Sequence, residues 1–173
     1  MANIMAASMY LKIALVCLLV GLILYIIGFS TVSWMVAAYS KWEARGVWRV
    51  YSCRVAAFCT YLSYGAWDYF GRSDLDYVRA TQALECIGFV FAVVAFIVLM
   101  LYLLVDSCRR RNALIAFLVC VFAAVFFIIV GIAVFATKHP NFYRVGWSMG
   151  FAIVGTIFMF VSGIMGILQL TCR

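Results

Sequence analysis

The chain is short of the residues that a water-exposed surface requires. Charged side chains make up 11% of its 173 residues, whereas 69% are hydrophobic. Soluble domains carry about 25% charged residues, and a chain of this size has too much surface for so few charges to cover. A soluble globular fold is thereby excluded. Proline occurs once and glycine twelve times, too few for a low-complexity or disordered chain. Acidic residues are scarce as well, six against thirteen Lys and Arg, for a formal charge of +7. The basic excess is scattered between apolar runs and never forms an amphipathic basic helix. It therefore marks no nucleic-acid surface but loop charge that meets anionic lipid.

Reactive chemistry is equally sparse. No Cys-x-x-Cys occurs, and the single His139 stands far along the chain from Cys53 and Cys59. Zinc needs such ligands clustered, and His139, directly before Pro140, is expected to be a solvated loop residue. A glycine-rich phosphate loop and a nucleophile elbow are absent. So is the arginine-rich site motif of the small glutathione-using membrane enzymes. The expectation is a protein that is not an enzyme and uses no metal or cofactor.

What the chain has in excess is apolar length. A bilayer core needs roughly 20 apolar residues as a helix, and four segments qualify: 11–29, 80–105, 113–136 and 146–170. The first is too long for a signal core and lacks a cleavage site, so it is read as a retained span. Four spans predict a single integral membrane domain with both termini on one side. Two loops, 30–79 and 137–145, then lie on the other side, and a short loop, 106–112, lies with the termini. Raw counts of basic residues favour the larger loops. Three consecutive arginines, Arg109–Arg111, nevertheless sit directly at the membrane in the short loop. That density places the short loop and the termini in the cytoplasm.

The seven cysteines divide by location. Cys17, Cys86 and Cys120 fall inside spans and are read as packed small hydrophobes. Cys108 and Cys172 lie beside arginines at the cytoplasmic face, where each is either a palmitoylation site or a free thiol. Cys53 and Cys59 are the only pair in the large outer loop, where an oxidising compartment permits a bridge. That loop also holds Thr31–Val36 and Val47–Val55, rich in Val, Trp, Tyr and Thr, which read as short strands. Its many aromatics need a small sheet, a partner or the interfacial belt to cover them.

Glu85 is the one carboxylate within a span. A charge at membrane depth is a functional candidate by default. Lying about two turns from the outer end, it is expected to pair with a loop arginine or reach interfacial water, or else to contact an ion or partner. The glycines of the fourth span permit close helix approach, either within the bundle or, through Gly146 and Gly150, across a dimer seam.

Trp34, then Gly46-Val47-Trp48, then Cys53 and Cys59, all after the first of four spans, resembles the signature of the superfamily of claudins, peripheral myelin protein and epithelial membrane proteins. Arg79-Ala80 at the entry to the second span is similar to the family's Arg-Ala. Gly146-Trp147-Ser148 and Ser162-Gly163-Ile164 add to the resemblance, which covers the whole chain in layout. Val47 replaces the usual leucine, and the cysteine spacing is closer to the epithelial and lens fibre membrane proteins than to most claudins. There is no Asn-x-Ser/Thr, and the ending Leu170-Thr171-Cys172-Arg173 lacks the tail with which many claudins bind PDZ scaffolds.

The resemblance implies an all-α transmembrane left-handed four-helix bundle with a small extracellular antiparallel β-sheet. It also implies a disulfide between Cys53 and Cys59, and roles in the outer fold for Trp34, Gly46, Trp48 and Arg79. The implied function is adhesion at cell–cell contacts, or a paracellular barrier or pore, in the plasma membrane. The partners would be lipids and further copies, in cis and in trans. The alternatives are an auxiliary subunit of an ion channel or receptor and a myelin-like membrane organiser. The outer loops are net basic, so a pore would favour anions, with Asp68 and Arg72 as candidate charges for selectivity.

Overall fold

The computed structural model describes residues 8–38, 43–53, 59–65, 76–105, 111–137 and 143–172. Four helices are long and apolar enough to cross a membrane. They are α1 (Met9–Ser30), α2 (Asp76–Leu104), α3 (Arg111–Thr137) and α4 (Trp147–Thr171). α1 and α3 extend past their expected apolar runs at both ends, α4 is shifted by one residue, and α2 starts earlier and ends one residue short. α2 gains the turn from Asp76, whose carboxylate suits the positive N-terminal end of a helix.

The strands are β1 (Met35–Ala37), β2 (Glu43–Arg45), β3 (Arg49–Ser52), β4 (Thr60–Ser63) and β5 (Tyr143–Val145). They form one antiparallel sheet in the order β4-β3-β2-β1-β5. The first four strands lie between α1 and α2, and the fifth lies between α3 and α4. β1 and β3 are shorter than the expected strands. Residues 31–34 are instead drawn into the end of α1, and Val47 and Trp48 form the turn that leads into β3.

The bundle consists of two close pairs, α1 with α4 and α2 with α3. Small residues set the first pair. A Cβ at Gly28 would lie 2.5 Å from the Ser148 carbonyl oxygen, and one at Gly155 would lie 2.7 Å from that of Gly21. Ser162 donates to the Ala14 carbonyl at 2.7 Å, and Ser8 donates to Gln169 near the end away from the sheet. In the second pair Phe91 stacks on Phe127. Gly150 has open space around it, whereas Gly146 packs against Ser33, so the Gly146–Gly150 pair is not a packing unit within this chain. The cysteines within spans are less buried than expected: Cys86 is exposed, and Cys17 and Cys120 are half-buried.

Candidate functional site: the sheet and its seat on the bundle

A helix leaves its last carbonyls without intrahelical partners, and the end of α1 is closed by side chains that follow it. The Trp34 indole N–H donates to the Gly28 carbonyl at 2.7 Å. The Thr31 hydroxyl donates to that of Ile27, also at 2.7 Å. Trp34 is fully buried and stands edge-on to Phe135 of α3. Its backbone N–H donates to Arg45 and its carbonyl accepts from Gly146. One tryptophan thus joins α1, α3, β2 and the start of α4. Beside it the buried Ser148 hydroxyl shares a hydrogen bond with that of Thr31 and accepts from the Ser33 backbone N–H.

Gly46 lies where the β2–β3 turn crosses the exit of α1. A Cβ there would come within 2.6 Å of the Val32 Cα and 2.8 Å of the Thr31 carbonyl oxygen. Its own carbonyl accepts from Tyr64 at 2.5 Å. Val47 is buried and its carbonyl accepts from Gln82 of α2 at 2.9 Å. Trp48 is 39% exposed and stands edge-on to Phe29 at 5.2 Å, the half-wet setting that suits an interfacial tryptophan. The Gly46-Val47-Trp48 run is therefore the joint by which the sheet rests on α1 and α2. Arg79 is exposed on the first turn of α2.

The sheet is clipped by a disulfide between Cys53, at the end of β3, and Cys59, at the start of β4. On the bundle side it covers a polar cluster. Glu43 pairs with Arg45 at 2.8 Å and accepts from the Tyr143 hydroxyl at 2.6 Å. Arg45 also lies over the Tyr143 ring, 4.8 Å from its centroid. Tyr143 sits opposite Ala37, a residue small enough for β5 and β2 side chains to meet above it. Burial and the bond to Glu43 push the Tyr143 phenol well above its ordinary range, and burial does the same to Tyr64. Burial works against the Arg45 charge, but Tyr143 and the bonded Glu43 carboxylate outweigh it and raise its affinity for the proton.

The solvent side is different in character. The register sets Arg144, Val36, Ala44, Tyr51 and Tyr61 in one row across all five strands, about 19 Å long at the usual strand spacing. Arg49 shares this face two residues before Tyr51, and the rings of Tyr51 and Tyr61 pack 5.1 Å apart. Arg49, Arg144 and Tyr61 are exposed. The described carboxylates Glu43, Asp76 and Glu85 all lie elsewhere.

Glu85 is fully buried inside the bundle. Tyr25 of α1 donates to its Oε2 at 2.6 Å and also reaches the Glu85 backbone carbonyl. Its other oxygen, Oε1, has no hydrogen-bond partner among the described residues and rests against Gly131 of α3. The partner found among the described residues is a phenol from a neighbouring span. Sequence reasoning overlooked Tyr25, Glu43, Tyr64 and Tyr143. The signal for Tyr25 was available: it is a hydroxyl at membrane depth, and that hydroxyl needs a partner there.

Asp68, Arg72 and Cys108 lie outside the described residues. Cys172 is exposed just past α4, at the end away from the sheet. No group of three or more potential metal ligands occurs among the described residues. No curated protein matches the sequence. The model of the PMP-22/EMP/MP20/Claudin family matches residues 6–166, nearly the whole chain, and with the four apolar helices, the seated sheet and its disulfide it shows that the chain belongs to this family.

Proposed function

We propose that this protein acts at plasma-membrane contacts between cells, where its sheet associates with further copies beside it and on the facing membrane. The observation that carries this reading is the solvent face of the sheet. It is a seated row of exposed Arg144, half-buried Tyr51 and exposed Tyr61 with exposed Arg49 beside it, and no described carboxylate opposes the two arginines. Tyrosine and arginine are the side chains that favour recognition surfaces. Where such faces line a path between cells, fixed guanidinium groups attract anions.

The test is a dilution potential across an epithelial layer that expresses the protein. The expected result is a chloride preference that falls or reverses in the double variant Arg49→Glu, Arg144→Glu. Unchanged conductance, together with a stoichiometric channel retained in a mild-detergent pull-down, would replace this reading with that of an auxiliary subunit. Cys172, at the face away from the sheet, is proposed together with Cys108 as a site of acylation. Hydroxylamine-sensitive labelling that Cys172→Ser and Cys108→Ser remove would support it.

A further inference from the structure

The positions of the glycines decide which helices approach one another. On α4, Gly155 faces α1, where its Cβ would meet the Gly21 carbonyl. On α3, Gly131 faces α2, where its Cβ would lie 2.5 Å from Glu85 Oε1. In the half of the bundle nearer the sheet, α3 is thus drawn to α2 and α4 to α1. Toward the other end α3 and α4 meet directly, with Phe122 packed on Gly163 and Phe117 on Gly166. The two helices diverge toward the sheet, and a crevice of about 470 Å³ opens between them.

Its walls are Ile129, Ile132 and Ala133 from α3 and Ile153, Ile157 and Phe160 from α4. Thr156 is the one polar residue in the lining, and its hydroxyl is already committed to the Ala152 carbonyl at 2.7 Å. The crevice therefore offers no free donor side chain and only the Thr156 oxygen as an acceptor, so a polar group placed in it would go largely unsatisfied. Ile129 and Ile157 are more than half exposed, so the crevice opens sideways, at membrane depth, into hydrocarbon.

The dimensions select the occupant. The lining of eight residues is far smaller than the roughly 20–30 residues a side of a stable protein interface. A void left empty would forfeit dispersion contacts along its walls. A flexible hydrocarbon chain meets each of these conditions. We propose that the crevice between α3 and α4 is a binding site for one phospholipid acyl chain, taken from the leaflet nearer the sheet.

The test uses the full chain in nanodiscs of phosphatidylcholine doped with phosphatidylcholine that carries a mid-chain diazirine. After irradiation, adducts are mapped by peptide mass spectrometry. They should concentrate on peptides covering 129–133 and 153–157, several-fold over those covering the exposed Val16–Ile23 face of α1. Ala133→Phe, which fills the crevice, should abolish that excess. Val119→Phe, at an exposed α3 position outside it, should leave it intact. Adducts spread evenly over every lipid-exposed face would overturn the proposal without reference to any variant. So would an excess that survives Ala133→Phe in folded protein. Oxidation of Ile157→Cys to a covalent dimer in the same nanodiscs would assign the crevice to a second copy and likewise overturn it.

Discussion

The Tyr25 hydroxyl lies 2.6 Å from Glu85 Oε2, and this bond ties α1 to α2 beside the rings of Tyr25 and Phe29, which stack on Phe89. The acid has no described cation near it and leans on Gly131. Tyr25→Phe would strip the bond from Oε2 while Oε1 stays unpartnered. A buried polar group left in that state costs about 1–3 kcal/mol. Thermal unfolding in detergent should show that loss, with a smaller one for Glu85→Gln. Gly131→Ala should also destabilise, by about 1–3 kcal/mol of overpacking, and much less so in a Glu85→Ala background. Additive costs in that double-mutant cycle would disprove the contact.

Backbone contacts leave less room for adjustment than side chains do. Gly28→Ala and Gly155→Ala each set a methyl group against a neighbouring main chain, and α1 and α4 must then separate. Both variants should unfold at clearly lower temperature than the parent. Gly150→Ala, in open space, should not, and a comparable loss there would contradict the α1–α4 interface.

The bridge between Cys53 and Cys59 closes a short loop and should stabilise the sheet by about 2 kcal/mol in the chain-entropy description. Peptide mapping without reduction should find the pair linked. Cys59→Ala should raise amide exchange across β3 and β4 before it affects the helices. Two free thiols in folded protein would show that the sheet holds without its clip.

Tyr143 and Tyr64 give the sheet a dependence on alkaline pH. Their phenols hold the proton more tightly when folded, whereas an unfolded phenol loses it near pH ~10. The stability they supply is complete below that pH and is lost progressively above it. The thermal unfolding temperature should therefore fall as pH rises past ~10, and the fall should be shallower in Tyr143→Phe. A flat profile would remove Tyr143 from the role.

Tags at Met1 and Arg173 should be reached only after cells are permeabilised, and a tag at Asp68 should be reached on intact cells. The Arg109–Arg111 cluster is costly to move across the bilayer and favours the anionic inner leaflet. Reversed labelling would invert the protein and exclude acylation of Cys172.

Long apolar runs made the spans legible in the sequence, because about 20 residues of one character leave few other readings. Trp34, Gly46 and Trp48 were legible only through their resemblance to a family pattern. What they do became visible once α1 ended beneath them. The three-residue strands β2 and β5 are too short for alternation to register. The partner of Glu85 was missed because Tyr25 is sixty residues away along the chain, and no local spacing joins two helices. The crevice between α3 and α4 had no signature either, since it arises from which way glycines on two different helices face.

β1 takes its last neighbour from the far end of the chain, since Ala37 pairs with Tyr143. Synthesis runs from the N-terminus, so β1 waits with one bare edge while α2 and α3 are being made and inserted. An unpaired edge invites pairing with another chain. Until the segment from Tyr143 onward emerges, the nascent protein carries a recognisable mark of incompleteness. The arrival of β5 erases that mark.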